Sequence, residues 1–482
     1  MPGFGFFFPM IKFQFFRHIA IGLILLPVLT ALRLQAGEDI AAATARPSPD
    51  WLRSGTIYEI FPRDFSAAGN FNGVTAQLDN LKSLGVTILW IMPIHPIGEK
   101  FRKGEYGSPY SVQDFYAINP HYGTLNDFQQ LVAGAHRREM KVIMDLVANH
   151  TSWDNVMMKF PEFYKHDAQG KMIPPVPDWT DVAALNYSDA ALRQYMISML
   201  KYWIQTCDVD GFRCDSAAMV PTDFWEQVRT ALAKVRPDII LLAEASKPEL
   251  LVKAFDLDYS WPLLGTMDDV LIRNAPASKI RISWEASRGQ FPKGALHLQI
   301  SDDHDEIRAI RRYGLNGALA ASALTFTLDG VPLVYNGMEI GDATESSGNS
   351  LFDKQNISWQ PGKHPELRGT YHDLIQLRRQ YPALSDSDVD WLHNSDESKV
   401  LTFMRADDKD EFLVVINFSS QPVADLVTLK NDAGFTPVKI SGLPDLDDGS
   451  LPNLHLKGFE WRIYHRSSRS SYPVASLGQN RN

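Results

Sequence analysis

From Thr56 onward the chain alternates short runs of β-branched and aromatic residues with stretches of helical spacing. Eight runs read as strands: 56–61 (TIYEIF), 87–93 (TILWIMP), 141–147 (KVIMDLV), 211–215 (GFRCD), 239–245 (IILLAEA), 254–259 (AFDLDY), 295–301 (ALHLQIS) and 330–337 (GVPLVYNG). Between them lie segments such as 74–85 and 127–140, whose apolar residues recur at the spacing of one helix face. Strand and helix alternating in this way predict parallel strands joined by helical crossovers. Eight such units in about 330 residues fit a (β/α)8 barrel. A doubly wound open sheet is the structural alternative, because the pattern does not reveal closure.

Two segments break the alternation. Residues 151–187 are rich in proline and aromatics, whereas an ordinary strand-to-helix connection takes only about 2–6 residues. They are read as a lobe inserted over the C-terminal strand ends. After Leu384 the helical spacing stops, and 399–406, 411–419, 424–429 and 459–466 read as antiparallel strands of a small all-β domain. The expected division is therefore a barrel over 51–150 and 188–384, the lobe at 151–187, the β domain at 385–466 and a disordered tail at 467–482. Residues 1–36 differ from everything after them. Lys12 and Arg17 precede an apolar run from Ile19 to Leu32, followed by the small residues Ala36 and Gly37. That is the layout of a secretory signal, and the run is short for about 30 Å of hydrocarbon. Export follows, secreted or periplasmic, with an uncleaved membrane anchor as the alternative and Met10 as an alternative start.

Composition narrows the possibilities. With 45% hydrophobic and 22% charged residues, the 482-residue chain is not collagen-like, coiled-coil or wholly disordered. The balance of 47 Lys and Arg against 57 Asp and Glu gives −10, which argues against a nucleic-acid partner. No feature points to an obligate protein partner. Two cysteines can build neither a disulfide scaffold nor a four-cysteine zinc site. Cys214 faces away from Arg213 and Asp215, so a buried free thiol is expected rather than a bond to Cys207.

In such a barrel the chemistry sits at the C-terminal strand ends. The third strand runs into DLVANH, giving Asp145, Asn149 and His150; the fourth gives Arg213 and Asp215; the fifth gives Glu244; the seventh runs into DDHDE, giving Asp303, His304 and Asp305. Each residue alone has a bland reading, as a helix cap, a buried ion pair or a structural histidine. Their recurrence at successive strand ends favours a site. Asp215 and Glu244 end neighbouring strands, which lie about 4.7–4.9 Å apart, and two carboxyls so placed suit a retaining glycosidase. Arg213, on the face of Asp215, is expected to hold that carboxylate ionised. A drier setting and a carboxylate neighbour should raise Glu244, as a general acid requires.

These residues resemble the α-amylase family of glycoside hydrolases. DLVANH (145–150), GFRCD (211–215), the glutamate of LLAEAS (241–246) and DHD (303–305) are similar to its four principal motifs, in its order. The resemblance covers about residues 51–466 and implies a (β/α)8 barrel, a small B domain after strand three and a β-sandwich C domain. It implies Asp215 as nucleophile, Glu244 as acid/base and Asp305 as transition-state stabiliser. Arg213, His150 and His304 resemble the residues gripping the sugar at the cleavage point, Tyr110 the tyrosine stacked beneath it, and Asp114 a further substrate-binding position. Three departures matter: Asp303 stands where the family usually has Asn, adding a negative charge; Ala218 and Met219 replace Lys-His; and Ala184 stands where a calcium-binding Asp would be. Asn149 resembles a calcium ligand, but calcium wants six to eight oxygens and Asn149 is left as a structural hydrogen-bonder. The resemblance implies a retaining hydrolase of α-1,4-glucans or maltooligosaccharides. Alternatives are a glucanotransferase, a cyclomaltodextrinase or neopullulanase type, an α-glucosyl-isomerising enzyme, and a non-catalytic carbohydrate-binding protein.

Overall fold

The computed structural model describes residues 39–345, 347–359, 364–444 and 451–467. Residues 1–36, for which an export signal is expected, and nearly all of 467–482 lie outside the described residues.

Eight parallel strands, Ile57–Ile60, Ile88–Ile91, Lys141–Val147, Gly211–Asp215, Ile240–Ala243, Leu257–Tyr259, Leu296–Gln299 and Val331–Tyr335, close into a barrel. Each falls inside one of the eight runs read from the sequence. Closure is the pairing of the first strand with the eighth, Ile57 opposite Leu333, which removes the open-sheet alternative. The strands are almost continuously apolar because crossover helices cover them outside and side-chain layers fill the lumen. Gly211 is required at the start of the fourth strand: a Cβ there would stand 2.5 Å from the Ile240 carbonyl oxygen.

Local signals set the helix limits. Thr124 and Asp127 form a reciprocal capping box at the start of Leu125–His136. Asp189 accepts the Leu192 N–H to begin Ala190–Cys207, and Asp208 ends it at φ 59. Both cysteines are buried free thiols.

After the third strand, His150–Ser152 pairs antiparallel with Val182–Ala184, tying both ends of the inserted stretch together above the barrel. At the C-terminal end Val389–Trp391, Val400–Ala406, Asp410–Asn417, Trp461–Ser467 and Thr436–Pro437 form one antiparallel sheet in that spatial order. A second sheet pairs Val423–Leu426 with Asn453–Leu456. The two share a core of Val400, Leu413, Val415, Val423, Leu454, Leu456 and Tyr464, which makes a sandwich. Three of its strands, Val389–Trp391, Thr436–Pro437 and Asn453–Leu456, escape the sequence reading because they are short and sit at sheet edges or in a two-stranded pair.

Candidate active site

Alternation along the fourth strand puts Arg213 and Asp215 on the inner face and Cys214 among the helices. Arg213 is wholly buried and collects three carboxylates from three strands. Its Nη1 donates to Asp145 Oδ1 at 3.1 Å and to Asp215 Oδ1 at 3.3 Å, and its Nη2 lies 3.2 Å from Glu244 Oε2. The rings of Trp90 and Tyr110 lie 5.0 and 5.7 Å from its central carbon. Nε donates to the Tyr259 hydroxyl at 3.2 Å. Asp145 is held by Trp90 Nε1 at 3.1 Å as well, and takes the 3.2 Å hydrogen bond of the Tyr110 hydroxyl. Ser216, next to Asp215, has φ 47, and its N–H donates to Glu244 Oε2 at 2.7 Å. A left-handed residue at this corner thus aims main chain at the fifth-strand acid.

The seventh strand supplies the opposite wall. His304 Nδ1 meets Glu59 Oε1 at 2.5 Å, while Nε2 meets the Tyr110 hydroxyl at 2.6 Å and lies 3.4 Å from Asp305 Oδ2. Openness rises across the acids: side-chain exposure is 10% for Asp215, 20% for Glu244 and 40% for Asp305.

Burial dominates the electrostatics. It raises Asp215 to about 6 and Glu244 to about 7, in both cases against the opposing pull of Arg213. Arg213 pulls Asp215 toward the ionised form, as expected, but desolvation outweighs it, so the carboxyl loses its proton only near 6. The order survives, with the fifth-strand acid retaining its proton to higher pH. Burial opposes a charge on His304, but Asp305 and Glu59 outweigh it and push the ring up to about 10. His304 is an imidazolium wedged between carboxylates. Burial pulls His150 down to about 4, so it is neutral; Trp179 from the lobe meets it edge to face at 5.4 Å.

Asp303 also corrects the sequence reading. It is 1% exposed, Oδ1 accepts the N–H groups of Asp305 and Glu306 at 3.2 and 3.1 Å, and Oδ2 is buried without a partner. Burial and the nearby Asp305 carry its pKa well above the usual range. Protonation is thus favoured relative to a free carboxyl, while Oδ1 shapes the turn.

Asp114 stands apart from this cluster: its Oδ1 accepts the Tyr116 N–H at 2.9 Å. Asn149 does not have a calcium ligand's surroundings. Its amide nitrogen lies 3.4 Å from His150 Nδ1 and 3.7 Å from Met219 Sδ, and Ala184 offers no side-chain oxygen. Glu59, which the sequence reading passed over, is fully buried on the first strand. An acid inside the apolar run TIYEIF was its available signal.

A barrel that gathers Asp215, Glu244 and Asp305 at one rim, braced by Arg213 and His304, belongs to the class of carboxylate-based glycoside hydrolases. The family is specific. Residues 53–171 and 177–411 match the family pattern described as "Alpha amylase, catalytic domain", and 390–463 match "Maltogenic Amylase, C-terminal domain". The chain belongs to the α-amylase family of glycoside hydrolases. It is 28% identical over 408 residues to alpha-amylase MalA of Haloarcula japonica, covering 80% of this chain and 58% of that one. A cyclomaltodextrinase of Geobacillus thermopakistaniensis is 26% identical over 78% of this chain and 70% of its own. Among solved structures, an α-amylase from Lactobacillus plantarum superposes with TM-score 0.76 at 32% identity, over 86% of this chain and 99% of that one.

Proposed function

We propose that this chain is a retaining hydrolase of α-1,4-linked glucans or maltooligosaccharides. The observation behind the reading is one buried guanidinium shared by Asp215 and Glu244, with Glu244 the weaker acid. Near neutral pH Asp215 is ionised and attacks the anomeric carbon, while Glu244 protonates the departing glycosidic oxygen. An ester to Asp215 results. Glu244, now ionised, takes a proton from water, and the water displaces the ester at the same carbon, restoring both groups with net retention. Asp305 and the cationic His304 face the charge changes at the sugar ring, and Tyr110 lies beneath it, its hydroxyl fixed by His304. Neutral His150 and the Trp179 edge line the lobe side.

A second reading, transfer of the glucosyl group to another sugar, is favoured by one feature. Met219, 41% exposed, sits just past the nucleophile beside Asn149. An apolar surface on the acceptor side suits a sugar face better than it suits water. We also infer export, from the charge and apolar run of residues 1–36.

Product chromatography after incubation with starch, pullulan, cyclodextrin and maltotriose tests the reading. Short maltooligosaccharides that accumulate without longer chains are expected. Chains longer than maltotriose, formed from maltotriose alone, would favour transfer; no turnover of any of the four would refute both.

A further inference from the structure

The lobe wall of the cleft rests on one lysine. Trp179, whose ring edge meets His150, lies on irregular backbone between two exposed turn residues, Asp178 and Thr180. No helix or strand holds it, so its place depends on the side chains that grip the turn.

Lys103, on the loop after the second strand, grips the turn on both sides of Trp179. Its ammonium donates to the Asp178 carbonyl oxygen at 3.2 Å and lies 2.9 Å from Asp181 Oδ1. The Asp181 side chain is 8% exposed and that of Lys103 33%, so the pair is screened less than one on open surface. Trp153 Nε1 and Ser111 Oγ donate to the Thr180 and Asp181 carbonyls at 3.0 and 3.1 Å, both C-terminal to Trp179. Lys103 reaches the N-terminal side as well.

The lysine is also fastened from behind. Its ammonium lies 5.9 Å from the centre of the Phe352 ring, in the loop after the eighth strand. The Tyr106 N–H donates to the Phe352 carbonyl at 2.9 Å, and the Glu105 N–H to Asp353 Oδ1 at 3.1 Å. Gly104, at φ 64, lets the two loops meet: a Cβ there would stand 2.5 Å from the Phe352 Cβ. The eighth, first, second and third strands are consecutive in the barrel. Lys103 therefore joins three loops along one arc of the rim, from the eighth strand to the lobe.

Charge reaches the sugar-binding histidine by the same route. Asp181 is the charged side chain that acts on His150; Trp179, Asn149 and the Tyr110 main chain beside the ring are uncharged. Paired with Lys103, the Asp181 carboxylate draws a proton to His150 less strongly than it would alone.

We propose that Lys103 is a positioning residue for the lobe side of the cleft, fixing Trp179 against His150 and neutralising the Asp181 carboxylate behind them. Its part in sugar binding rests on the proposed glucan activity; the clamp itself does not.

Lys103→Met keeps the stem against Phe352 and removes the charge. On a maltooligosaccharide it should raise KM about tenfold while kcat changes by no more than about twofold. Amide hydrogen exchange over 178–181 should quicken about tenfold, and His150 should titrate at higher pH by NMR. Lys103→Arg, which keeps a cation, should restore most of the KM. Asp181→Asn should loosen the same turn without the rise in His150, because the charge acting on the ring is gone. Unchanged KM and exchange in Lys103→Met overturn the proposal. So does a joint loss of kcat, KM and thermal midpoint that Lys103→Arg does not repair, the mark of general destabilisation. A parent protein that turns over no maltooligosaccharide counts against the glucan reading, and exchange with the His150 titration then decides the clamp.

Discussion

Replacing Asp215 by Asn should abolish turnover and stabilise the protein, a combination that a merely structural aspartate would not give. Asp215 is 7% exposed, and burial raises its carboxyl from 3.8 to about 6. A folded-state pKa above the unfolded value means the folded protein favours the protonated form. Its contribution is fully present below about pH 4 and is lost as pH rises through 6. A shift of roughly two units corresponds to about 3 kcal/mol at pH 7, at 1.36 kcal/mol per unit. An Asn cannot ionise and so escapes that cost, but it gives up the 3.3 Å charge contact with Arg213. The guanidinium keeps Asp145 and Glu244. The net gain should therefore be about 1–3 kcal/mol at neutral pH and close to zero near pH 4. Thermal or urea unfolding at the two pH values, beside turnover of a maltooligosaccharide, measures both halves. A variant less stable than its parent at pH 7, or equally stabilised at both pH values, would refute the electrostatic argument. More than about a thousandth of the parental rate would refute the nucleophile.

The pH profile of kcat/KM should be bell-shaped and narrow. Activity falls below about 6 as Asp215 takes a proton and above about 7 as Glu244 loses one, both limbs belonging to the coupled pair; a flat profile from 5 to 8 would contradict the assignment. Glu59→Gln should lower activity on the order of tenfold, because it removes the 2.5 Å partner that helps keep His304 charged. The readout specific to that role is His304 titrating nearer neutrality by NMR. A chelator should leave the thermal midpoint unchanged, since the Asn149 amide is engaged by His150 and Met219 and Ala184 supplies no side-chain oxygen. A drop of several degrees, reversed by calcium, would show otherwise.

The barrel was legible because its signal is redundant. All eight strands are short runs whose neighbours are helical, and strand ends in this architecture are where polar residues collect. Arg213 and Asp215 could be placed on one face from the two-residue period alone. What escaped the sequence reading depends on surroundings that no local pattern encodes. Asp303 looks like a plain added charge until its burial and the neighbouring Asp305 are known to favour its protonated form. Glu59 hides in an apolar run and acquires meaning only when the barrel brings it against His304, 245 positions later. Trp179 reaches His150 only because the lobe folds back on paired strands. Strand Thr436–Pro437 is two residues long, below what periodicity can mark.

The central claim is that Asp215 becomes covalently bound to sugar during turnover. Incubating the enzyme with a fluorinated α-maltosyl fluoride that slows the second step, then digesting it for mass spectrometry, tests this directly. One glycosyl ester per chain, on the peptide containing Asp215 and released on addition of an acceptor sugar, is the predicted result. An adduct on Glu244 or Asp305, or turnover of the probe with inverted anomeric configuration and no adduct, would contradict the account.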